Sequence, residues 1–241
     1  MLQSEALSIL RAGANVFITG APGAGKTYVL NEFINQARAD GAEVAVTAST
    51  GIAATHVNGQ TIHSWSGVGV ATSLSDSLLK MIRSRRRRRI QSVDVLVIDE
   101  VSMLHAWLFD MVDQVCRVIR HSSDPFGGIQ VVLSGDFFQL PPVSRSGRNG
   151  DMIAPTPEFV ASRERYAREG LDPEGFVTES LVWSELGSVV CYLTEQHRQD
   201  DGQLLTVLTD IRDDDVTPDH HALLHSRLRV HPPTGSVAVP L

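Results

Sequence analysis

Five short apolar runs divide the chain, and each has the length of a β-strand. They are NVFITG (15–20), EVAVTA (43–48), VDVLVID (93–99), IQVVLSGD (129–136) and VVCYLTE (189–195). β-Branched residues are frequent in these runs, and turn-forming or polar residues bound each of them. This is the pattern of strands that lie buried in a sheet. The sequence therefore predicts five strands.

Helical patterns separate the predicted strands. Apolar residues recur every three to four positions over residues 29–37 and again over residues 104–119, and Gly41 ends the first of these patterns. Strands that alternate with helices, and that are apolar on both faces, predict an α/β fold with a parallel sheet covered by helices on both faces. In such sheets ligands bind at the carboxyl ends of the strands, so the candidate chemistry is expected there.

Composition limits the class of protein. At 241 residues and 42% hydrophobic content, the chain can bury one sizeable core, or one core and an appendage. No apolar run is long enough to span a bilayer, and the start MLQSEALSILRAG lacks a basic leader and a small-residue cleavage site. We therefore expect no membrane partner, and a bacterial or phage-host cytoplasm as the location, with a nucleus as the alternative. Cys116 and Cys191 lie in apolar runs without metal-ligand spacing, which predicts reduced core residues.

Charge is unevenly distributed along the sequence. The formal net charge of −7 argues against the basic domain that is usual for a nucleic-acid partner. The average conceals a segregation, because SRRRRR (84–89) is strongly basic and RDDDVTPD (212–219) is acidic. Two interpretations of the arginine run remain open. A solvated helix end that leads into the next strand is the commoner use of such runs, and contact with phosphates is the alternative.

The motif GAPGAGKT directly follows the first predicted strand and opens the first long helix, which is the context of a phosphate-binding GxxxxGK[ST] loop. Gly20, Gly23 and Gly25 allow backbone N–H groups to turn towards phosphates, and the helix N-terminus adds its dipole. Lys26 can reach the β- and γ-phosphates, and the Thr27 hydroxyl can bind Mg²⁺. The sequence thus predicts a nucleotide site.

Two adjacent acids complete this chemistry. In VLVIDEVSM, Asp99 leaves the end of an apolar strand on the side where Mg²⁺ is expected, and Glu100 can orient and deprotonate the attacking water. An ordinary acidic loop after a strand is the simpler alternative, and the glycine-rich loop argues against it. Nucleotide hydrolysis is therefore the predicted reaction.

Four further segments resemble one helicase family. They are VTASTGIAATHVNGQTIHSW (46–65), IDEVSML (98–104), SGDFFQLPPV (134–143) and LTEQHRQ (193–199). Their residues, order and spacing resemble the motifs of the Pif-type, or petite integration frequency, DNA helicases of superfamily one. RecD-type helicases share the general plan, but TIHSW and GDFFQLPPV are more similar to the Pif-type pattern. A RecD-type fragment remains an alternative.

The resemblance implies an ATP-dependent DNA helicase with a RecA-like fold that uses ATP and Mg²⁺. It implies that Gln3 reads the adenine base, for which its amide has both a donor and an acceptor. It also implies a set of contacts with single-stranded DNA, formed by Thr50, Gly51, His63, Ser64 and Trp65. Small residues allow close approach to phosphates, and the tryptophan offers a stacking face. For the histidine and the tryptophan, a structural or core role is the alternative.

Two residues are implied to respond to the γ-phosphate. Gln139 would lie between this phosphate and the DNA groove, and the two prolines that follow would limit the freedom of its loop. Phe137 and Phe138 are expected merely to pack. Arg198 resembles the family arginine that stabilises charge in the transition state, a task suited to a planar and permanently charged group.

We expect residues 1–230 to form one RecA-like domain, with a surface excursion over residues 144–175. Residues 231–241 would then be a linker and the start of a second RecA-like domain that is missing from this sequence. The implied partners are single-stranded DNA, DNA forks and that second domain, for a monomer that moves from the 5′ to the 3′ end. A P-loop ATPase that acts as a nucleotide switch or protein remodeller without DNA is the competing hypothesis, and it leaves the segment 50–65 unexplained.

Overall fold

The computed structural model describes residues 1–143, 157–195, 202–212 and 214–227 of the chain. The chain divides into two compact units, Met1–His197 and Arg198–Leu241. Within the described residues, none of the helices combines the length and the apolar character that crossing a membrane requires.

The first unit contains six strands and eight α-helices among its described residues. The strands are β1 (Val16–Gly20), β2 (Val44–Ala48), β3 (Gln60–Thr61), β4 (Val95–Asp99), β5 (Gln130–Ser134) and β6 (Val189–Leu193). The helices are α1 (Gln3–Arg11), α2 (Lys26–Ala39), α3 (Gly51–His56), α4 (Ile62–Ser66), α5 (Asp76–Ser92), α6 (Ala106–Arg120), α7 (Pro157–Glu169) and α8 (Trp183–Leu186). The described part of the second unit contains α9 (Gly202–Arg212) and α10 (Pro218–Arg227).

The six strands form one parallel sheet in the order β3-β2-β4-β5-β1-β6. This confirms the predicted α/β fold, and the five predicted strands are β1, β2, β4, β5 and β6. The additional strand β3 has only two residues, Gln60 and Thr61, and carries no apolar run that a sequence pattern could detect. Because all strands are parallel, their carboxyl ends meet at one edge of the sheet.

Alternate residues of the central strands enter two separate cores, as expected for a sheet that is covered on both faces. In β1, Val16 and Ile18 pack in the core that contains α1 and α2, whereas Phe17 packs in the core that contains α5 and α6. The two cysteines, Cys116 and Cys191, are buried and free, which confirms that they are reduced core residues.

The edge strand β6 departs from the predicted pattern. We expected every strand to be apolar on both faces and buried, but Val190 is 55% exposed and Tyr192 is 47% exposed. The reason is the position of β6, which pairs only with β1 among the strands of the described residues and lies at the end of the sheet. The apolar run identified the strand correctly but could not indicate that it is an edge strand.

Part of the segment 144–175 is anchored to α6. Residues 144–156 lie outside the described residues, so the predicted surface excursion stays a prediction there. In α7, however, Tyr166 is buried and its hydroxyl donates a hydrogen bond to the carboxylate of Asp110. The backbone N–H groups of Ala106 and Trp107 also donate to the carbonyls of Gly175 and Pro173.

The buried acid Asp110 organises this contact. Its carboxylate accepts hydrogen bonds from the backbone N–H groups of Leu181 (2.9 Å) and Val182 (3.0 Å), in addition to the Tyr166 hydroxyl. Burial raises the pKa of Asp110, and these hydrogen bonds oppose that rise because they stabilise the ionised form. The helical period of apolar residues predicted α6 but not this buried polar anchor.

Replacing Asp110 with alanine is expected to lower the free energy of unfolding by about 3 kcal/mol, because two backbone N–H groups and one hydroxyl lose their acceptor. Urea denaturation measures the change. The control is Asp40→Ala at the exposed end of α2, which should stay within about 0.5 kcal/mol of the unsubstituted protein. Equal stabilities of the two variants would contradict the role of Asp110.

Candidate nucleotide and nucleic-acid site

The glycine-rich loop lies at the carboxyl edge of the sheet, between β1 and α2. Gly23 and Gly25 adopt φ values of 87° and 84°, and Gly20 adopts 147°. At Gly20 a Cβ atom would lie 2.6 Å from the carbonyl oxygen of Leu193, so only glycine allows this approach to β6. The loop therefore has the tight backbone curve that phosphate binding requires.

Lys26 is the first residue of α2, and its side chain folds over this loop. Its Nζ atom donates hydrogen bonds to the carbonyl oxygens of Gly20 (2.8 Å) and Ala21 (3.3 Å). Thr27 follows on the exposed side of the same turn. The ammonium group thus lies beside the loop that is predicted to hold phosphates.

Gln3 contacts the same loop from the start of α1. Its side-chain Nε2 donates a hydrogen bond to the carbonyl oxygen of Ala24 (3.3 Å). Its backbone N–H donates to the Glu195 carboxylate (2.9 Å), which follows β6. Although Gln3 is far from the loop in sequence, the fold brings its amide next to the loop.

The two predicted acids lie at the end of β4. Asp99 is its last residue and is buried, and Glu100 has a left-handed conformation with φ 52° and ψ 46°. A non-glycine residue in this region is strained, and such residues are frequent at functional sites. Glu100 thus has a strained backbone conformation directly after the end of β4.

The charges of neighbouring strands act on Glu100. Its pKa is raised, first by partial burial and then by the negative charge of Asp99, with a smaller contribution from Asp136, whereas the positive charge of Lys26 opposes the rise. The residues Lys26, Asp99, Glu100 and Asp136 therefore share one electrostatic environment. We refer to these four residues as the charge cluster. The resemblance places Asp136 with Gln139 in the motif SGDFFQLPPV near the γ-phosphate, but the sequence analysis assigned it no role of its own.

The segment after β5 is packed tightly against the loop that carries Glu100. The backbone N–H of Gly135 donates to the carbonyl of Ile18 in β1 (3.2 Å). A Cβ atom at Gly135 would lie 2.9 Å from Cγ2 and 3.1 Å from the backbone nitrogen of Val101, so glycine allows the two backbones to approach closely here. The segment after β5 and the loop that carries Glu100 are therefore in direct contact.

Gln139 is connected to the charge cluster through Asp136. The buried Asp136 carboxylate accepts hydrogen bonds from Nε2 of Gln139 (3.2 Å) and from the backbone N–H of Phe138 (3.1 Å). Gln139 itself is exposed. One hydrogen bond thus links an exposed amide to a buried acid in the environment of Glu100.

The two phenylalanines of this motif have different surroundings. The ring of Phe137 lies 5.0 Å from that of Phe17 and 5.0 Å from that of Phe176, which confirms the expected packing role. The same expectation is wrong for Phe138, which is 71% exposed. The chain turns directly after Asp136, and this turn directs consecutive side chains to opposite environments.

The short helices α3 and α4 begin side by side at the carboxyl edge of the sheet, because β2 and β3 pair through Ala48 and Thr61. Thr50 accepts a hydrogen bond from the backbone N–H of Ala53 (3.2 Å) and caps α3. Thr61 caps α4 in the same way, by accepting from the N–H of Ser64 (3.2 Å).

Four of the five residues predicted to contact DNA are accessible in this region. Gly51 and Ser64 are exposed, and Thr50 and His63 are partly exposed. They lie near the starts of the two helices, at the same edge of the sheet as the glycine-rich loop. The predicted contact residues thus form one accessible segment.

Trp65 does not belong to this surface. It is 1% exposed and packs in a core that includes Ile62 and Ile82. Its ring has no free face for a nucleotide base, so the prediction of a DNA contact is wrong and the alternative of a core residue is correct. Arg198 lies outside the described residues, and its role stays a prediction.

The electrostatic environment of Glu100 can be measured directly. In an NMR titration of ¹³C-labelled glutamate side chains, we expect Glu100 to titrate above the ordinary value of 4.5, because burial and neighbouring acids disfavour its charged form. Lys26→Met should raise the midpoint further, since it removes the opposing positive charge. Glu100→Gln assigns the signal, and a midpoint at or below 4.5 would contradict the arrangement.

Comparison with known proteins agrees with this geometry. The family model described as PIF1-like helicase matches residues 4–158. The ATP-dependent DNA helicase Pif1 of Psychrobacter sp. is 46% identical over 205 residues, which is 84% of this chain and 28% of that protein. The chain thus spans about a quarter of the length of this relative.

Solved structures resemble the whole chain. The Pif1 helicase of Candida albicans has a TM-score of 0.78 and 32% identity, over 98% of this chain and 49% of that one. The Bacteroides Pif1 helicase in complex with ADP-AlF3 and ssDNA has a TM-score of 0.72 and 29% identity, over 98% of this chain and 52% of that one. With a family model that matches more than half of its residues, the chain belongs to the PIF1-like helicase family.

Proposed function

We propose that this chain is the first motor domain of an ATP-dependent DNA helicase. It binds and hydrolyses ATP and couples hydrolysis to movement along single-stranded DNA. The observation that carries the proposal is the charge cluster, in which Lys26 at the start of α2, Asp99 at the end of β4 and Asp136 after β5 all act on the Glu100 carboxylate. This arrangement suits a nucleotide whose γ-phosphate lies between the loop and the acids.

The residues around the loop have the chemistry that MgATP requires. The loop N–H groups and Lys26 would hold the phosphates, and the amide of Gln3 beside Ala24 would read the adenine. Mg²⁺ prefers oxygen ligands and is usually held by one or two carboxylates together with substrate phosphates. The Thr27 hydroxyl and the Asp99 carboxylate fit that preference. When bound, the ion neutralises charge on the phosphates.

Glu100 is the proposed general base. It follows the last residue of β4, and its left-handed backbone conformation holds it apart from the strand. Burial and the neighbouring acids raise its pKa and make its carboxylate a stronger proton acceptor, which suits the deprotonation of water. The positive charge of Lys26 opposes this rise in the pKa of Glu100.

Gln139 is the proposed link between hydrolysis and DNA. Its hydrogen bond to Asp136 joins it to the charge cluster, and the close approach of Gly135 to Val101 couples its segment to the loop of Glu100. A change at the γ-phosphate would therefore shift the segment of Gln139 as a unit. Arg198 is proposed to approach the same phosphate.

The accessible segment at α3 and α4 favours DNA over a protein-remodelling ATPase. Thr50, Gly51, His63 and Ser64 provide small residues, hydroxyls and an imidazole, which suit contacts with a phosphate backbone. The proposed partners are single-stranded DNA and DNA forks, together with a second RecA-like domain that completes the motor. The proposed active form is a monomer.

Two single substitutions separate nucleotide binding from catalysis. Lys26→Ala should weaken binding of a fluorescent ATP analogue at least about tenfold, because it removes a charge-assisted phosphate contact. Glu100→Gln should retain this binding and lower the rate of phosphate release by about 100-fold or more, because it removes the base. Turnover that persists in the Glu100→Gln variant would exclude this residue as the base.

The DNA contact is tested by the double variant His63→Ala/Ser64→Ala. We expect it to bind labelled oligo-dT on the order of tenfold more weakly in fluorescence anisotropy, with unchanged binding of the ATP analogue. The control is His121→Ala/Ser122→Ala, a second His-Ser pair that follows α6. If both double variants bind oligo-dT like the unsubstituted chain, the DNA assignment of this segment is wrong.

A further inference from the structure

The outward face of α5 is strongly basic, and the proposed function does not use it. Its exposed basic side chains are Lys80, Arg83, Arg85, Arg87, Arg88 and Arg89. Asp76 is the only acidic residue in the 17 residues of this helix. The whole chain, by contrast, has a formal net charge of −7. We refer to the six exposed side chains as the basic face.

This concentration of charge is costly for a helix that only supports the core. Like charges three or four residues apart on a helix repel each other, as Arg85 does with Arg88 and Arg89. Asp76 lies in the first turn, where it can reach Lys80 but not the arginines near the other end. A helix surface that only has to be hydrated could carry acidic and basic side chains together, without this repulsion. The basic face is therefore better explained by an anionic partner.

Helix α5 packs beside the segment that is proposed to hold single-stranded DNA. On its inner side, Ile82 and Ile90 pack in the same core as Trp65 of α4. Nη1 of Arg89 donates a hydrogen bond to Oε1 of Gln60 in β3 (3.0 Å). Gln60 lies three residues before His63 in the sequence. A Cβ atom at Gly67, directly after α4, would lie 3.2 Å from Cγ of Arg86. The basic face thus adjoins the segment that is proposed to hold single-stranded DNA.

The composition of α5 distinguishes between forms of DNA. Surfaces that hold single strands combine positive charge with aromatic side chains on which bases stack. The sequence of α5, DSLLKMIRSRRRRRIQS, contains no aromatic residue. A duplex presents two phosphate backbones and hides the faces of its bases, and arginines on a convex helix suit contacts with such phosphates.

We propose that the basic face of α5 binds the phosphate backbone of duplex DNA next to the single strand held at α3 and α4. This inference rests on the proposed function, because it assumes that the single strand lies at His63 and Ser64. The contact is independent of base sequence, since it involves phosphates alone. In this arrangement the duplex of a fork lies beside α5.

The experiment compares two double variants that each remove two positive charges. Arg85→Gln/Arg88→Gln changes two neighbours on the basic face, and glutamine keeps a similar helix propensity. Arg11→Gln/Arg38→Gln is the matched control, since these exposed arginines lie on α1 and α2, which pack on the other face of the sheet. Each protein is titrated with labelled oligo-dT and with a hairpin duplex that carries the same oligo-dT tail, at several salt concentrations.

We expect the unsubstituted chain to bind the tailed duplex more tightly than oligo-dT. The Arg85→Gln/Arg88→Gln variant should lose on the order of tenfold in affinity for the tailed duplex, and its salt dependence should fall by a slope of about 2, corresponding to two lost phosphate contacts. Its affinity for oligo-dT, its binding of the ATP analogue and its melting temperature should stay unchanged. The control variant should match the unsubstituted chain.

Three results would overturn the inference. If both variants bind the tailed duplex equally, the basic face does not contact DNA and is a solvated surface or a site for an acidic protein. If the Arg85→Gln/Arg88→Gln variant loses oligo-dT affinity to the same extent, α5 extends the single-strand path instead. If the unsubstituted chain gains nothing from the duplex while it binds oligo-dT, the inference fails and the proposed function stands. Absent binding of either DNA would instead contradict the proposed function.

Discussion

Two close backbone approaches at the carboxyl edge of the sheet determine the geometry of the site. Gly20 passes so near the carbonyl of Leu193, and Gly135 so near Val101, that a Cβ atom at either position would lie within 3.0 Å of its neighbour and force a local shift. The first approach fixes the glycine-rich loop and therefore Lys26. The second fixes the segment of Asp136 against the loop of Glu100. The charge cluster exists because both approaches are possible, and each depends on the absence of one side chain.

This edge joins the two kinds of surface that the proposed motor has to connect. The charge cluster lies at the ends of β4 and β5 and the start of α2, whereas the accessible segment of α3 and α4 follows the neighbouring strands β2 and β3. Gln139 has an exposed amide and a bond to the buried Asp136. In a parallel sheet these elements reach the same edge without any long loop, so coupling between them needs only small local shifts.

The sequence predicted those features whose signals are local. The strands were recognisable from apolar runs, and the glycine-rich loop and acids from motifs that directly follow those strands. Trp65 was misassigned because α4 has only five residues, too few for a period to indicate its buried face. Phe138 was misassigned because the turn after Asp136 reverses the direction of consecutive side chains. Asp110 carries no local signal, since its partners Leu181 and Val182 are contributed by a distant segment.

Binding of nucleotide and binding of single-stranded DNA are proposed to be coupled within this chain. The direct measurement is the fluorescence anisotropy of labelled oligo-dT at several salt concentrations, with and without a non-hydrolysable ATP analogue and Mg²⁺. We expect salt-sensitive binding whose affinity changes when the analogue is bound, and a smaller change in a Gln139→Ala variant. An oligo-dT affinity that stays the same while the chain is saturated with the analogue would contradict this coupling.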